Sequence, residues 1–256
     1  MSGEAEKSRS REVEESDGRF DSSPLRLFDS STILVASRNR AKAAEISAIL
    51  HAEGLDVEVI SLADFPDVAL PEETGQTFAQ NAITKARHAA EATGLPAVAD
   101  DSGLEVDALG GEPGVLSARY VGPEAADEDR YRKVLDLLRD VPDARRTARF
   151  RCAAAYARRV PQASTCPDPR VPQALACPDP RVRQAPTCPD LLLTEGVIEG
   201  HIAREPAGSG GFGYDPIFIA DGETRTMAQL TPAEKHAISH RGRAFRALAK
   251  IIRPFL

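Results

Sequence analysis

The sequence has no tryptophan and only two methionines among its 256 residues, and aromatic residues make up 5% of it. It also has no apolar run near the length of about 20 residues that a helix needs to cross a bilayer. The first residues are polar and charged, without the apolar core of a secretory signal. From these absences we expect a cytoplasmic protein with no membrane partner.

Cysteine is scarce, and its spacing argues against a zinc site. None of Cys152, Cys166, Cys177 and Cys188 forms a C-x-x-C pair, and the last three recur at 11-residue intervals before Pro-Asp. The paired spacing that is typical of zinc ligands is therefore missing. We expect reduced thiols.

Basic residues are fewer than acidic ones, 32 against 39, which gives a net charge of -7. General nucleic-acid binders usually carry a basic surface, so we expect no nucleic-acid partner. The sequence also has no G-x-x-x-x-G-K-[ST] motif, which excludes a Walker A phosphate loop.

Composition divides the chain into three kinds of sequence. Residues 1–30 are rich in Ser, Glu, Arg and Asp, and such a segment buries too little apolar surface to fold, so we expect a disordered tail. Residues 31–256 are expected to form one domain. This domain is interrupted at about 159–191 by three near-copies of a proline-rich 11-residue unit, which predict an extended insertion in a hairpin loop. A partner-binding role for this insert is the alternative.

The pattern of apolar residues predicts an α/β domain. Short apolar runs predict strands at 32–36, 57–60, 97–101, 104–109, 150–156, 197–202 and 216–219. Amphipathic runs and capping residues predict helices from Lys42 to about Gly54, from Thr77 to about Thr93, over 131–138, and from Thr231 to about Ile252. Strands that alternate with helices, together with one antiparallel hairpin, indicate a mixed sheet.

Two adjacent carboxylates, Asp100 and Asp101, end an apolar strand and are followed by Ser102-Gly103. Ligands of α/β sheets usually bind at the carboxyl ends of strands. Ionised carboxylates are costly to bury, but they can hold a divalent metal and a water molecule. The alternative is a solvated turn with an aspartate cap.

A second acidic pair, Glu72-Glu73, precedes the helix that begins after Thr77. These acids either favour the helix dipole or supply a carboxylate to a metal together with Asp101. Magnesium suits such a site best, because it takes one or two carboxylates together with substrate phosphate oxygens.

Two loops have features suited to a nucleotide. Ser37–Lys42 follows a buried strand and opens a helix, so its N–H groups can face an anion. Gly208–Asp215 is rich in glycine and carries Phe212 and Tyr214, which can stack on a flat base; a plain flexible loop is the alternative. His236 and His240 lie four residues apart but lack a third zinc ligand, so we favour hydrogen bonding by His240 and Arg241 to phosphate or base.

Taken together, the motifs resemble the inosine triphosphate pyrophosphatase family, in order along the chain from about Ile33 to Ile252. They read S-x-N-x-x-K, E-E-T-G-x-T-F-x-x-N-A-x-x-K-A, A-D-D-S-G-L-x-V-D-A-L-G-G-x-P-G-x-x-S-A-R-Y, G-G-F-G-Y-D-P-I-F and L-T-x-x-E-K-x-x-I-S-H-R. The resemblance implies an elongated mixed β-sheet flanked by helices, with two lobes and a central cleft, in a homodimer. It also implies cleavage of non-standard purine nucleoside triphosphates such as ITP, dITP and XTP to monophosphate and pyrophosphate.

The resemblance further implies a role for individual residues. The loop that wraps the triphosphate would consist of Ser37, Arg38, Asn39, Arg40, Ala41 and Lys42. The rest of the nucleotide site would consist of Ser102, Phe212, Gly213, Tyr214, Asp215, Lys235, His240 and Arg241. Asp101 would be the general base and, with Glu72, a ligand of Mg²⁺, the expected cofactor.

Two residues depart from the family pattern. Gln80 stands where many members have an acid, and Arg38 replaces a common small residue in the phosphate loop. Two other readings stay open: a pyrophosphatase for modified pyrimidine nucleotides, and a nucleotide-binding scaffold whose insert recruits a partner.

Overall fold

The computed structural model describes residues 32–159 and 190–256. The expected tail at 1–30 lies outside these residues. So does the insert expected at about 159–191, apart from its edges. Among the helices of the described residues, none combines the length and the apolar character that spanning a membrane requires.

One six-stranded sheet forms the centre of the structure. Its strands are β1 (Thr32–Val35), β2 (Glu58–Ser61), β3 (Ala97–Val106), β4 (Thr147–Ala157), β5 (Leu191–Ile202) and β6 (Phe218–Ala220). They lie in the order β2-β1-β3-β4-β5-β6. β1 is parallel to β2 and β3, while β3 to β6 pair antiparallel. The predicted mixed α/β fold is confirmed.

Five helices in the described residues flank this sheet: α1 (Arg40–Ala52), α2 (Phe78–Thr93), α3 (Asp127–Leu137), α4 (Pro232–Ile238) and α5 (His240–Ile252). α1 and α5 share one core with Val98 and Tyr156 of the sheet. α2 packs on the other face through its alanines, against alanines of β3 and β4 such as Ala99 and Ala155. Small side chains on both surfaces let α2 lie close to the sheet. A third core surrounds Leu104 and Phe218 farther along the strands.

The β4–β5 hairpin continues to the edge of the described residues. Ala157 is paired with Leu191, and one residue beyond, the Arg158 backbone N–H donates to the Asp190 carbonyl at 3.1 Å. The Arg158 Nε also lies 2.6 Å from Asp190 Oδ1. The two strands therefore remain in register up to the point where the insert leaves them.

Two predictions of where an element is interrupted or continuous are wrong. The strands expected at 97–101 and 104–109 form one continuous β3, because β4 pairs with it from Ala97 to Val106. Leu104 and Val106 are buried while Glu105 and Asp107 are more exposed, as the predicted alternation requires, but residues 107–109 form a 3-10 turn and not the end of a strand.

The helix expected from Thr231 to Ile252 is broken at Ser239. This residue has an extended backbone (φ -62°, ψ 152°), and its Oγ accepts a hydrogen bond from the Gly242 N–H at 3.0 Å. Ser239 thus ends α4 and caps α5. His240 and Arg241 lie in the first turn of a separate helix.

Candidate active site

A cavity of about 300 Å³ lies where the two loops singled out by the sequence meet Asp101 of β3. Six predicted residues line it around β3 and the phosphate loop and α5: Ser37, Asn39, Lys42, Asp101, Ser102 and Arg241. Six more line it around the glycine-rich loop: Phe212, Gly213, Tyr214, Asp215, Lys235 and His240. The predicted residues Arg38, Arg40, Ala41 and Glu72 are exposed and lie outside the cavity lining.

Asp101 faces α2 from β3. Its Oδ2 accepts a hydrogen bond from Asn81 Nδ2 at 3.0 Å, and its Oδ1 accepts one from Lys85 Nζ at 3.0 Å. Burial raises the pKa of Asp101 above its usual value, and the positive charge of Lys85 opposes this shift. The site therefore holds a carboxylate of increased basicity in a fixed orientation, as a proton acceptor requires.

Glu73, rather than Glu72, lies next to Asp101. Its Oε1 is 2.9 Å from Lys85 Nζ and its Oε2 is 2.7 Å from Arg119 Nη1, whereas Glu72 is exposed. Since one lysine ammonium contacts both Asp101 and Glu73, the two carboxylates face the same part of the cavity. Two carboxylates together with substrate oxygens suit Mg²⁺. The described residues contain no group of three or more His, Cys, Asp or Glu side chains that could hold a metal by themselves.

Asp100 points to the opposite face of β3, as alternation along a strand requires. Its Oδ1 lies 2.9 Å from Lys42 Nζ, and its Oδ2 lies 3.2 Å from Arg241 Nε. Burial alone would raise the pKa of Asp100, but the charges of Lys42 and Arg241 outweigh it and hold the pKa well below its usual range. Asp100 is therefore ionised, and it contacts the cavity only through other side chains.

The phosphate loop divides into residues that face the cavity and residues that anchor the loop. Asn39 caps α1 by accepting a hydrogen bond from the Lys42 N–H at 3.1 Å. Arg38 turns away and donates to the carbonyl oxygens of Pro66 and Val68 at 3.2 and 2.8 Å. The departure at Arg38 thus leaves the phosphate-facing side of the loop uncrowded.

The glycine-rich loop presents an aromatic ring beside two cations. Lys235 Nζ lies 4.8 Å from the centroid of the Phe212 ring, and the centre of the Arg241 guanidinium lies 5.2 Å from it. Asp215 fixes this arrangement, because its Oδ2 accepts from Lys235 Nζ at 2.5 Å and from the Phe212 N–H at 2.9 Å. Gly211 has a φ of 73°, and an added Cβ would overlap with that carboxylate.

His240 is buried against Phe150, with ring centroids 4.7 Å apart and an interplanar angle of 14°. Burial and the charges of Arg241 and Lys235 hold the pKa of His240 well below its usual value, so the ring is neutral near pH 7. Its Nδ1 is buried and has no hydrogen-bond partner among the described residues. His236 lies on α4, where its Nε2 is 3.7 Å from Glu45 Oε1.

The structure adds site residues that the sequence analysis did not assign. Asn81 and Lys85 were present in the quoted motif and lie four residues apart on α2, so their shared face was a usable signal. No comparable pattern in the sequence points to Asp127 and Arg130 of α3. Asp127 Oδ2 accepts a hydrogen bond from the Gly213 N–H at 2.7 Å, and Asp127 Oδ1 lies 2.6 Å from Arg130 Nη1.

The chain aligns with nearly the whole length of two curated relatives. A dITP/XTP pyrophosphatase of Shigella flexneri is 46% identical over 221 residues, which cover 86% of this chain and 98% of that protein. A dITP/XTP pyrophosphatase of Frankia alni is 48% identical over 229 residues, which cover 88% of this chain and 98% of that protein.

Solved structures agree with the sequence matches. A HAM1 protein from Coxiella burnetii superposes with a TM-score of 0.68 at 43% identity, covering 87% of this chain and 98% of that one. A nucleoside-triphosphatase described as a dITP/XTP pyrophosphatase, from Mycobacterium abscessus, superposes with a TM-score of 0.60 at 44% identity, covering 86% and 98%. The sequence model of the Ham1 family matches residues 33–168 and 182–251. The resemblance inferred from the motifs is thus confirmed, and the chain belongs to the Ham1 family.

Proposed function

We propose that this protein hydrolyses non-standard purine nucleoside triphosphates, among them ITP, dITP and XTP, to the monophosphate and pyrophosphate. One observation carries the proposal: Asp101, held by Asn81 and Lys85, lies in a cavity with a phosphate loop and an aromatic ring beside two cations. The names of the relatives in Shigella flexneri and Frankia alni support the same activity.

Asp101 would act as the general base. Its increased basicity lets it take a proton from water as the water attacks the α-phosphorus. The bond from the α-phosphorus to the bridging oxygen then breaks, and pyrophosphate leaves with that oxygen. Lys42 and the N–H groups at the start of α1 would stabilise the charge on the triphosphate, so electrostatics and positioning supply much of the rate.

Magnesium is proposed as the cofactor, with Asp101 and Glu73 as its protein ligands in place of the Glu72 expected from the sequence. When bound, Mg²⁺ would neutralise phosphate charge and orient the triphosphate. Lys85 keeps the two carboxylates together, and Arg119 anchors Glu73 from its other oxygen.

Base selectivity would arise beside Phe212. Hypoxanthine and xanthine carry a carbonyl oxygen at position 6, which the permanently charged donor Arg241 and the donor Lys235 can meet. Adenine carries an amino group there, and this group would leave buried donors without an acceptor. Such a mismatch is strongly unfavourable in a closed site. Guanine carries the same carbonyl at position 6, so rejection of GTP would have to rest on its 2-amino group.

We also propose a homodimer in the cytoplasm. The family resemblance suggests both, and two exposed apolar side chains on neighbouring segments, Leu116 and Val121, offer a surface for self-association. Light scattering of the purified protein measures the subunit number directly, and a monomer at micromolar concentration would contradict the dimer.

The activity is tested by measuring pyrophosphate release from ITP, XTP, dITP, ATP, GTP and dTTP with and without Mg²⁺. We expect release from the first three substrates only, and only with the metal. Preferred hydrolysis of dTTP would point to the pyrimidine alternative, and silence across the panel would refute the enzyme assignment.

The role of Asp101 is tested with Asp101→Asn, which keeps the shape of the side chain and removes its basicity. We expect turnover of ITP to fall by roughly a thousandfold or more while ITP still binds. Asp107→Asn is the matched control, because Asp107 lies just past the end of the same strand, exposed and outside the cavity lining. Retained turnover in Asp101→Asn would contradict the assignment.

A further inference from the structure

We propose that Asp100 is a positioning residue that holds the cations of both ends of the nucleotide site, Lys42 and Arg241, without touching the nucleotide. This inference rests on the proposed function, in which Lys42 contacts the phosphates of the nucleotide and Arg241 contacts its base. It assigns a role to the first aspartate of the Asp100-Asp101 pair, which the proposed mechanism leaves unused.

The geometry separates Asp100 from the cavity itself. Its side chain is 1% exposed and is not part of the cavity lining, whereas Lys42 and Arg241 both are. One carboxylate oxygen lies 2.9 Å from Lys42 Nζ and the other 3.2 Å from Arg241 Nε. Asp100 can therefore act on a bound nucleotide only through these side chains and Ser102, whose Oγ donates to Oδ2 at 2.9 Å.

Lys42 needs such a partner. It lies in the first turn of α1, where the helix dipole disfavours a positive charge. Its side chain is 18% exposed, so little water is available to stabilise the ammonium in the absence of substrate. The carboxylate of Asp100 stabilises that charge and fixes the position of Nζ at the cavity wall before a triphosphate arrives.

Arg241 is fixed by two carboxylates that contact different nitrogens of its guanidinium. Nε contacts Asp100, and Nη1 lies 2.8 Å from Glu45 Oε2. The centre of the guanidinium lies 5.2 Å from the centroid of the Phe212 ring, and Arg241 lines the cavity. Because the group is planar, anchoring two of its nitrogens leaves the Nη2 donors in a defined orientation, which recognition of a base carbonyl requires.

A single neutral substitution at position 100 should therefore disturb both ends. Asn has the shape of Asp, but it carries no charge and replaces one acceptor oxygen with a donor. That donor would face either the Lys42 ammonium or the Arg241 guanidinium, so at least one cation is displaced by repulsion. The other cation loses its ionic partner.

The test uses two ligands that each occupy one end: pyrophosphate for the phosphate end and inosine for the base end. Their dissociation constants are measured by equilibrium titration in the full-length wild type, in Asp100→Asn and in the control Asp107→Asn. We expect the dissociation constant of each ligand to rise by roughly tenfold or more in Asp100→Asn, as for buried charge pairs generally. The control should match the wild type.

An effect of Asp100→Asn on only one ligand, or on neither, would overturn the inference. If this variant does not fold, Lys42→Met is titrated with inosine and Arg241→Met with pyrophosphate. When one cation is removed, Asp100 attracts the remaining cation more strongly, so each variant should weaken binding at the opposite end of the site. Unchanged binding at that end would also overturn the inference. A failure of the proposed function shows separately, in the substrate panel of the wild type.

Discussion

The Lys85 ammonium lies 3.0 Å from Asp101 Oδ1 and 2.9 Å from Glu73 Oε1, so one cation contacts both carboxylates at the cavity. Burial alone would lower the pKa of Lys85, but the charges of Asp101 and Glu73 outweigh it and raise the pKa above its usual value. Lys85 therefore stays charged throughout the neutral range. Its positive charge lowers the proton affinity of Asp101 to the same extent throughout this pH range.

This pair predicts a shift in the pH dependence of activity. Because Lys85 lowers the pKa of Asp101, its removal in Lys85→Met should raise that pKa. A general base works only when deprotonated, so the acid limb of kcat/KM should move to higher pH. The rate at its plateau should also fall by roughly a hundredfold. The pH profile of ITP hydrolysis measures both, with Lys250→Met at the exposed end of α5 as the control. An unmoved acid limb would contradict the electrostatic role.

Two of the three basic residues of the phosphate loop, Lys42 and Arg38, should differ in importance. Lys42 lines the cavity, whereas Arg38 donates to backbone carbonyls outside it. We expect Lys42→Met to raise KM for ITP by roughly tenfold or more, as the loss of a close charge contact does. Arg38→Ala should change KM far less. Initial-rate kinetics on both variants compares them, and an equal or larger effect of Arg38→Ala would place that guanidinium on the substrate.

Gly196 sets the distance between β5 and α5. An added Cβ there would overlap with the carbonyl oxygen of His240 and crowd the backbone nitrogen of Ala244. In Gly196→Val we expect α5 to move outward, which costs about 1–3 kcal/mol of unfolding free energy by overpacking and displaces Arg241. Urea denaturation and KM for ITP measure the two effects, with Glu195→Ala on the same strand as the control. A fully active, equally stable variant would refute the close contact.

Arg146 is a buried cation with only carbonyl partners among its hydrogen bonds. Its guanidinium, in a residue that is 2% exposed, donates to Leu138, Ile202 and Ala203 at 2.6, 2.9 and 2.7 Å. Arg146→Met would leave these carbonyl oxygens without their donor, and we expect a loss of roughly 3 kcal/mol in unfolding free energy. Urea denaturation measures it. Arg139→Met, which removes an exposed pair with Asp136, should change stability little.

The sequence predicted the elements well where local signals agreed with tertiary contacts. The start of α2 was predicted from the Thr77 cap and its end from the helix-breaking Gly94-Leu95-Pro96, and both are as predicted. The break at Ser239 was missed because α4 and α5 follow each other directly, so the helical periodicity shows no gap. The continuity of β3 was missed because it depends on pairing with β4, which is distant in sequence.

The sequence was enough to predict which loops form the site. It was not enough to predict which residues of those loops face the cavity. Glu72 and Glu73 are chemically alike, and their difference comes from the position of Lys85 and Arg119, which only the fold supplies. In the same way, the sequence could not distinguish which residues of the Ser37–Lys42 loop face inward. Arg38 and Arg40 bond to the segment around Asp64 and Val68, a contact that no local pattern reveals.

The closed end of the β4–β5 hairpin bears on how this chain tolerates insertion. Arg158 and Asp190 join β4 and β5 at the edge of the described residues, so the register of these strands is set by pairs that lie within the described residues. The entropic cost of loop closure grows by only about 0.6 kcal/mol for each doubling of loop length. A change in the length of the connection between these two strands therefore carries little thermodynamic penalty.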